Sequence, residues 1–422
     1  MTETAGRINI ERDVNIHLED RKRSRHFFWF LWVMYVVVCM TKNCYGGAMA
    51  SIVAEGVMTK SQTGFITAMF YIVYTPLQIV GGLMVDRYSP EKLIKIGLLG
   101  GAIANIVIFF NQNYYVMLIA WSFNAATQFG IWPATFKIIS SQLVRSDRKT
   151  MAFYVSFSAT GGTFLSYLIA ALVTKWQYNF LVSAVALLVF AVVMHIYDRH
   201  LNPYMIWDKK ETESESKGAH FPNISTKNVI LASGFGFILV YILLSVVVSR
   251  SRETLAPVIL ADKYTLSPAL ANSLNLFMIA AGIVGTIVAN KLVSKIRNMA
   301  VGVIAVLAIM IPFLIICSFV GQWPMYTILV SMCIVSALQS VLLLMNTTYN
   351  MNFSKYNKSG TIAGLSNSAQ AFAYIIAAYI IPLVQEKFGW GFVMNSWSVL
   401  IGISIISMLF AIGKVRSFSR SL

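Results

Sequence analysis

Twelve long apolar runs decide what this chain can fold into. They lie at about 27–53, 63–85, 92–111, 114–143, 150–174, 178–197, 228–260, 266–293, 299–321, 324–352, 360–385 and 392–413. A helix rising 1.5 Å per residue needs roughly 20 such residues to cross a hydrocarbon core about 30 Å thick. Membrane-barrel strands would be short and alternating, whereas these runs are continuous, so the sequence predicts an all-α membrane protein with twelve transmembrane helices. The composition agrees: of 422 residues 57% are hydrophobic and 12% charged, about half the charge of an ordinary soluble domain. Residues 1–26 are polar and of mixed charge, and the run from Phe27 is too long for the core of a cleaved leader. Cys39, Cys44, Cys317 and Cys333 sit inside apolar runs, at spacings that suit neither a zinc site nor a redox pair. No metal, cofactor or disulfide scaffold is expected.

Lys and Arg fix the orientation, because cytoplasmic loops of membrane proteins are enriched in them. With both termini on one side, the segments 7–25, 87–95, 145–149, 199–227, 291–297, 355–358 and 414–420 hold twenty-five of the 33 Lys and Arg residues. The opposite loops hold only Lys60, Lys175, Lys263 and Lys387, and Lys42, Lys137, Arg250 and Arg252 lie within or at the end of spans. Both termini are therefore expected in the cytoplasm, in a multi-pass protein of the cell (inner or plasma) membrane. The net charge of +16 follows from basic loops beside anionic lipid, and no nucleic acid is called for. The longest polar interval, 198–227, contains DKKETESESKGAH and is too charged to pack. It divides the chain into a tail (1–26), six spans (27–197), a cytoplasmic linker (198–227), six further spans (228–413) and a second tail (414–422).

A duplication is visible across that linker. GGLMVDRYSPEKLIKIG, which begins at Gly81 and includes Gly82, Asp86 and Arg87, ends span two. GTIVANKLVSKIRN (Gly285 to Asn298) ends span eight, with Asn290 and Lys291 at the offsets of Asp86 and Arg87. Glycines there allow close helix approach, and the acid–base pair suits a latch to a neighbouring helix end. The pattern resembles the signature loop of the major facilitator superfamily, whose members have two pseudo-twofold-related six-helix bundles. Further stretches resemble its organophosphate:phosphate antiporter branch, typified by the bacterial glycerol-3-phosphate transporter: Lys42-Asn43, QFGIWPA (Gln128 to Ala134), Gly161-Gly162, AGIVGT (Ala281 to Thr286), GTIAG (Gly360 to Gly364) and Phe388 to Trp390. The resemblance implies alternating-access transport and an arginine beside the span-one lysine, where this chain has Thr41. It also implies a lysine in span two and a histidine in span five, where Gln78 and Ser158 stand. Aligned on Pro257, the branch's span-seven arginine falls at Ser249, one residue before Arg250.

The residues themselves carry the argument about substrate. A charge at the bilayer centre costs at least roughly 2.5–3.5 kcal/mol, so each one calls for a function. Lys42 lies midway along span one with no carboxylate within a helical turn; a ligand contact is favoured over an interhelical pair. Lys137, nearer the cytoplasm, fits snorkelling as well as ligand contact. Arg250 and Arg252 lie on nearly opposite helix faces, so at most one is expected to point inward. Arg250 is favoured, against a structural pair with Glu253 three residues on. Excess cation in a wet cavity attracts anions, so the expected partners are a small anionic substrate and the lipid bilayer, for a monomeric protein. Tyr35, Tyr71, Tyr74, Gln78, Asn124, Gln128, Gln339, Asn346, Asn367 and Gln370 form the candidate polar lining, although each alone is more often a helix-to-helix hydrogen bond. Glu253 is the candidate for coupling. No His/Asp/Glu cluster or GxSxG elbow lies in the spans, so an enzyme is not expected. Three readings stay open: exchange or uptake of a phosphorylated or carboxylated metabolite, a proton-coupled carboxylate symporter of the anion:cation symporter type, and a transporter-like sensor of sugar phosphates.

Overall fold

A computed structural model describes residues 2–142, 154, 157–201, 226–292, 296, 298–351, 353 and 359–420. The first half contains α1 (Thr2–Ala54), α2 (Lys60–Arg87), α3 (Pro90–Phe110), α4 (Tyr114–Gln128), α5 (Ile131–Gln142), α6 (Ser158–Leu172) and α7 (Gln177–Leu201). The second contains α8 (Thr226–Ser233), α9 (Phe235–Tyr264), α10 (Pro268–Leu292), α11 (Met299–Ser318), α12 (Met325–Met351), α13 (Ser359–Ile375) and α14 (Ile381–Arg420), with a π-helical turn at Ile376–Ile380 joining the last two. Residues 202–225, most of the expected linker, lie outside the described residues.

Local chemistry sets the helix ends and breaks. Thr59 and Gln62 form a capping box that starts α2, satisfying two backbone donors that the helix leaves open. Asn113 and Asn298 cap α4 and α11 through their side-chain oxygens. The break between α4 and α5 precedes Pro133, which has no N–H to give to the carbonyl four residues back; the two pieces form one span. Gly234 (φ 69°) joins α8 to α9, and Gly389 (φ 79°) divides α14 into the ends of spans eleven and twelve; both use the left-handed region that favours glycine.

The result is twelve spans. Eight helical stretches are long and apolar enough to cross a membrane alone, and one of them, Gly364–Phe418, holds two spans. The other three fall short for separate reasons. α2 has 28 residues but is diluted by Gln, Thr, Tyr and Gly; α4 and α5 are a broken helix; α6 has only 15 residues.

The packing shows the twofold. If span n maps onto span n plus six, every major pairing of the first half should recur in the second, and it does. α1 packs on α6 as α9 packs on α13, α3 on α7 as α11 on α14, and α2 on α4 as α10 on α12. Contacts between halves obey the same operation, since α2 against α13 is the mate of α10 against α6. Close approach rests on missing side chains. A Cβ at Gly162 would strike Cys39 and the Val36 carbonyl of α1, and one at Gly285 would strike the Ala337 backbone of α12. Such backbone contact is how helices associate where lipid is as apolar as leucine.

At the end of the bundles away from the chain termini the halves are latched together. Lys60 at the start of α2 pairs with Asp262 near the end of α9 at 3.0 Å. The same carboxylate accepts the Trp390 indole N–H at 2.6 Å, and Glu386 accepts the Ser61 amide at 2.8 Å. Deeper in, Asn272 of α10 donates to the Gly47 carbonyl of α1 at 3.0 Å.

Candidate functional site

Below that latch lies a cavity of about 210 Å³, room for a small solute rather than a single water. Its wall is built mainly from α9, α10, α12 and α13, and α6 of the first half adds Ala159, Thr160 and Thr163. The polar lining includes Ser245, Ser249, Arg250, Arg252, Glu253, Gln339, Asn346 and Tyr374.

Arg250 is held from two sides. It donates to Glu253 at 2.8 Å and to the Tyr374 hydroxyl at 2.7 Å, and its guanidinium lies 4.4 Å from the centroid of the same ring. The Glu253 carbonyl accepts the Tyr167 hydroxyl of α6 at 3.2 Å and the Asn275 amide at 3.3 Å. One turn of α9 is thereby tied to both halves. Tyr374 meets Tyr71 of α2 edge to face at 4.9 Å, and Tyr71 and Tyr74, three residues apart, share a face of α2.

Tyr74 leads to Lys42. Its hydroxyl oxygen accepts from Lys42 Nζ at 2.8 Å and from Gln78 Nε2 at 3.0 Å, and Nζ stands 4.5 Å from the ring centroid. Lys42 is half-buried midway along the membrane part of α1, and among the described residues no carboxylate pairs with it. A hydroxyl and a ring face stabilise an ammonium but do not cancel its charge. Because Tyr74 Oη already accepts twice, its own O–H remains free to donate.

The remaining expected residues divide clearly. Gln339 and Asn346 line the cavity, as does Gln370. Gln128 is buried and donates to Asn124, away from the cavity, as a helix-internal bond. Tyr35 packs against Trp132 in a tilted ring contact at 4.9 Å, Asn367 is exposed, and Lys291 is exposed at the end of α10. The side chains of Gly82, Asp86, Arg87, Lys137 and Asn290 lie outside the described residues.

One expectation fails on geometry. Arg250 and Arg252 were expected to face opposite ways, with one inward at most, yet both line the cavity. The helical arithmetic holds, but α9 runs between α12 and α13. Arg252 reaches Gln339 of α12 and Arg250 reaches Tyr374 of α13, so opposite faces of one helix border the same space. Sequence reading missed Tyr374, which stands in the apolar run AFAYIIAAY with nothing to mark it.

Comparison with known proteins agrees with this architecture. Residues 31–378 match the family model of the Major Facilitator Superfamily. The chain belongs to that family. It is 25% identical to the membrane sensor protein UhpC of Salmonella typhimurium over 40% of this chain and 39% of that one. It is 27% identical to a probable hexose phosphate transport protein of Chlamydia trachomatis over 29% of this chain and 27% of that protein. The match thus spans about two-fifths or less of these relatives' lengths. A solved D-xylose-proton symporter superposes with a TM-score of 0.71 over 93% of this chain and 97% of its own, at 14% identity, which shows a shared fold.

Proposed function

We propose that this protein is a secondary transporter that moves a small organic anion, a phosphorylated or carboxylated metabolite, by rocking its two bundles around a site near the midplane. The observation that carries this reading is Lys42, a mid-span cation whose partners are a neutral hydroxyl and a ring face. A charge kept in the membrane at that cost, with no counter-ion among the described residues, is matched by a ligand that brings one. Arg250, fixed by Glu253 and Tyr374, faces the anion from the second bundle. In this reading the anion draws the bundles together, while Gly82, Asp86 and Arg87, with Asn290 and Lys291, form the gate at the terminus side. Glu253 is the coupling group if the uphill step uses a cation. In this reading the protein works as a monomer in the cell membrane; its Lys and Arg distribution argues for both termini in the cytoplasm.

Initial rates of uptake into proteoliposomes test the assignment. Lys42→Ala should lower the rate for every transported anion by at least about tenfold, the weight of one charge-assisted hydrogen bond, with expression and folding intact. Unchanged uptake by that variant would remove Lys42 from the site. The similarity to the membrane sensor protein UhpC favours a second reading, a membrane sensor that detects its ligand without moving it. Anion binding without any flux would select it.

A further inference from the structure

Arg252 stands apart from every other charge in the cavity. It is 5% exposed, and its only hydrogen bond among the described residues runs from Nε to Gln339 Oε1 at 3.2 Å. The adjacent carboxylate, Glu253, is engaged by Arg250, and no carboxylate pairs with Arg252 among the described residues. Its terminal guanidinium nitrogens, the planar fork suited to oxyanions, therefore have no protein partner there. Two other buried polar atoms in the same wall are also unpartnered. Gln339 Nε2, a donor, and Asn346 Oδ1, an acceptor, make no hydrogen bond, although their residues are 7% and 4% exposed. Buried polar groups are almost always satisfied, so these two amide atoms, on residues that line the same cavity as the unfilled guanidinium fork, point to a place for a ligand.

We infer that Arg252, Gln339 and Asn346 form an oxyanion subsite contained within the second bundle, distinct from Lys42 and Arg250, and that its ligand carries a hydroxyl close to the oxyanion. The guanidinium fork and Gln339 Nε2 donate to the oxyanion, and Asn346 Oδ1 accepts the hydroxyl. The inference rests on the reading of the chain as an anion transporter and narrows its substrate to a hydroxylated organic anion.

Equilibrium binding to the purified full-length protein tests it, with glucose 6-phosphate, inorganic phosphate and gluconate as probes. The phosphate and carboxylate arms decide which oxyanion is taken. Arg252→Gln should weaken the bound probes at least about tenfold, while Lys387→Gln, an exposed residue, leaves them alone. Asn346→Leu should erase the preference for glucose 6-phosphate over inorganic phosphate, and a retained preference overturns the hydroxyl assignment. If Arg252→Gln does not fold, phenylglyoxal labelling of the wild-type protein decides the matter: a bound probe should shield Arg252, as read by peptide mass spectrometry. Wild-type affinity in Arg252→Gln, or labelling unaffected by the probe, overturns the subsite and leaves anion transport standing. If the wild-type protein binds no probe, both fall.

Discussion

At the residue scale the site is governed by which charges have found partners. Arg250 and Glu253 neutralise each other, which leaves Arg252 in the cavity wall and Lys42 beside Tyr74 without a paired carboxylate among the described residues. Deleting one member of the Arg250 pair exposes the other. Glu253→Gln should lower the stability of the ligand-free protein by about 1.5–3 kcal/mol, the range for a hydrogen bond to a charged group, and should raise its affinity for anions by adding one net positive charge. A melting curve checks both parts, because a bound anion should recover more stability in the variant than in the wild type. Equal recovery would mean that the cavity charge does not set affinity. The candidate cations were legible in the sequence because a Lys or Arg in an apolar run has few reasons to be there. Their facing was not. Whether Arg250 and Arg252 share a cavity depends on the helices that flank α9, and the 100° turn per residue carries no information about those neighbours.

At the element scale the chain was almost fully legible, since the bilayer dictates length and continuity. Each of the twelve expected runs overlaps a helix of the described residues, although α1 already begins at Thr2 and α6 begins only at Ser158. Reading by runs also caught α2 and the α4–α5 pair, which pure hydropathy passes over because polar residues and a proline break interrupt them. Backbone contact is a second device at this scale. Gly285→Val would drive its side chain into the Ala337 backbone of α12, and since backbone cannot rotate away the two helices must part. A loss of about 1–3 kcal/mol is expected, as for other overpacked positions, seen as a lower unfolding temperature in detergent. Gly402 has nothing within 4 Å of an added Cβ, so Gly402→Ala should be neutral or slightly stabilising. If both variants behave alike, close approach is not what holds α10 to α12.

At the scale of the whole molecule, the proposed alternating access requires the halves to separate at the latch around Lys60, Asp262 and Trp390. The ion pair is partly exposed, with side chains 20% and 40% accessible, and such pairs are worth roughly 0–1 kcal/mol, weak enough to open in a working cycle. Asp262→Ala should therefore raise the population open on that side by up to about fivefold. Spin labels at the exposed Val57 and Lys387, one on each half, should report this as added weight at long distance; an unaltered distribution would show that the latch is incidental. The central claim, that uncompensated cations between two rocking bundles serve to carry an anion across, is tested most directly by counterflow. Proteoliposomes holding the purified protein are loaded with unlabelled glucose 6-phosphate, inorganic phosphate or gluconate, and the same anion is added outside as tracer. At least one anion should accumulate transiently above its equilibrium level in the wild type, and Lys42→Ala should abolish the overshoot. Tracer entry no faster than into protein-free vesicles, for all three anions, would contradict the account.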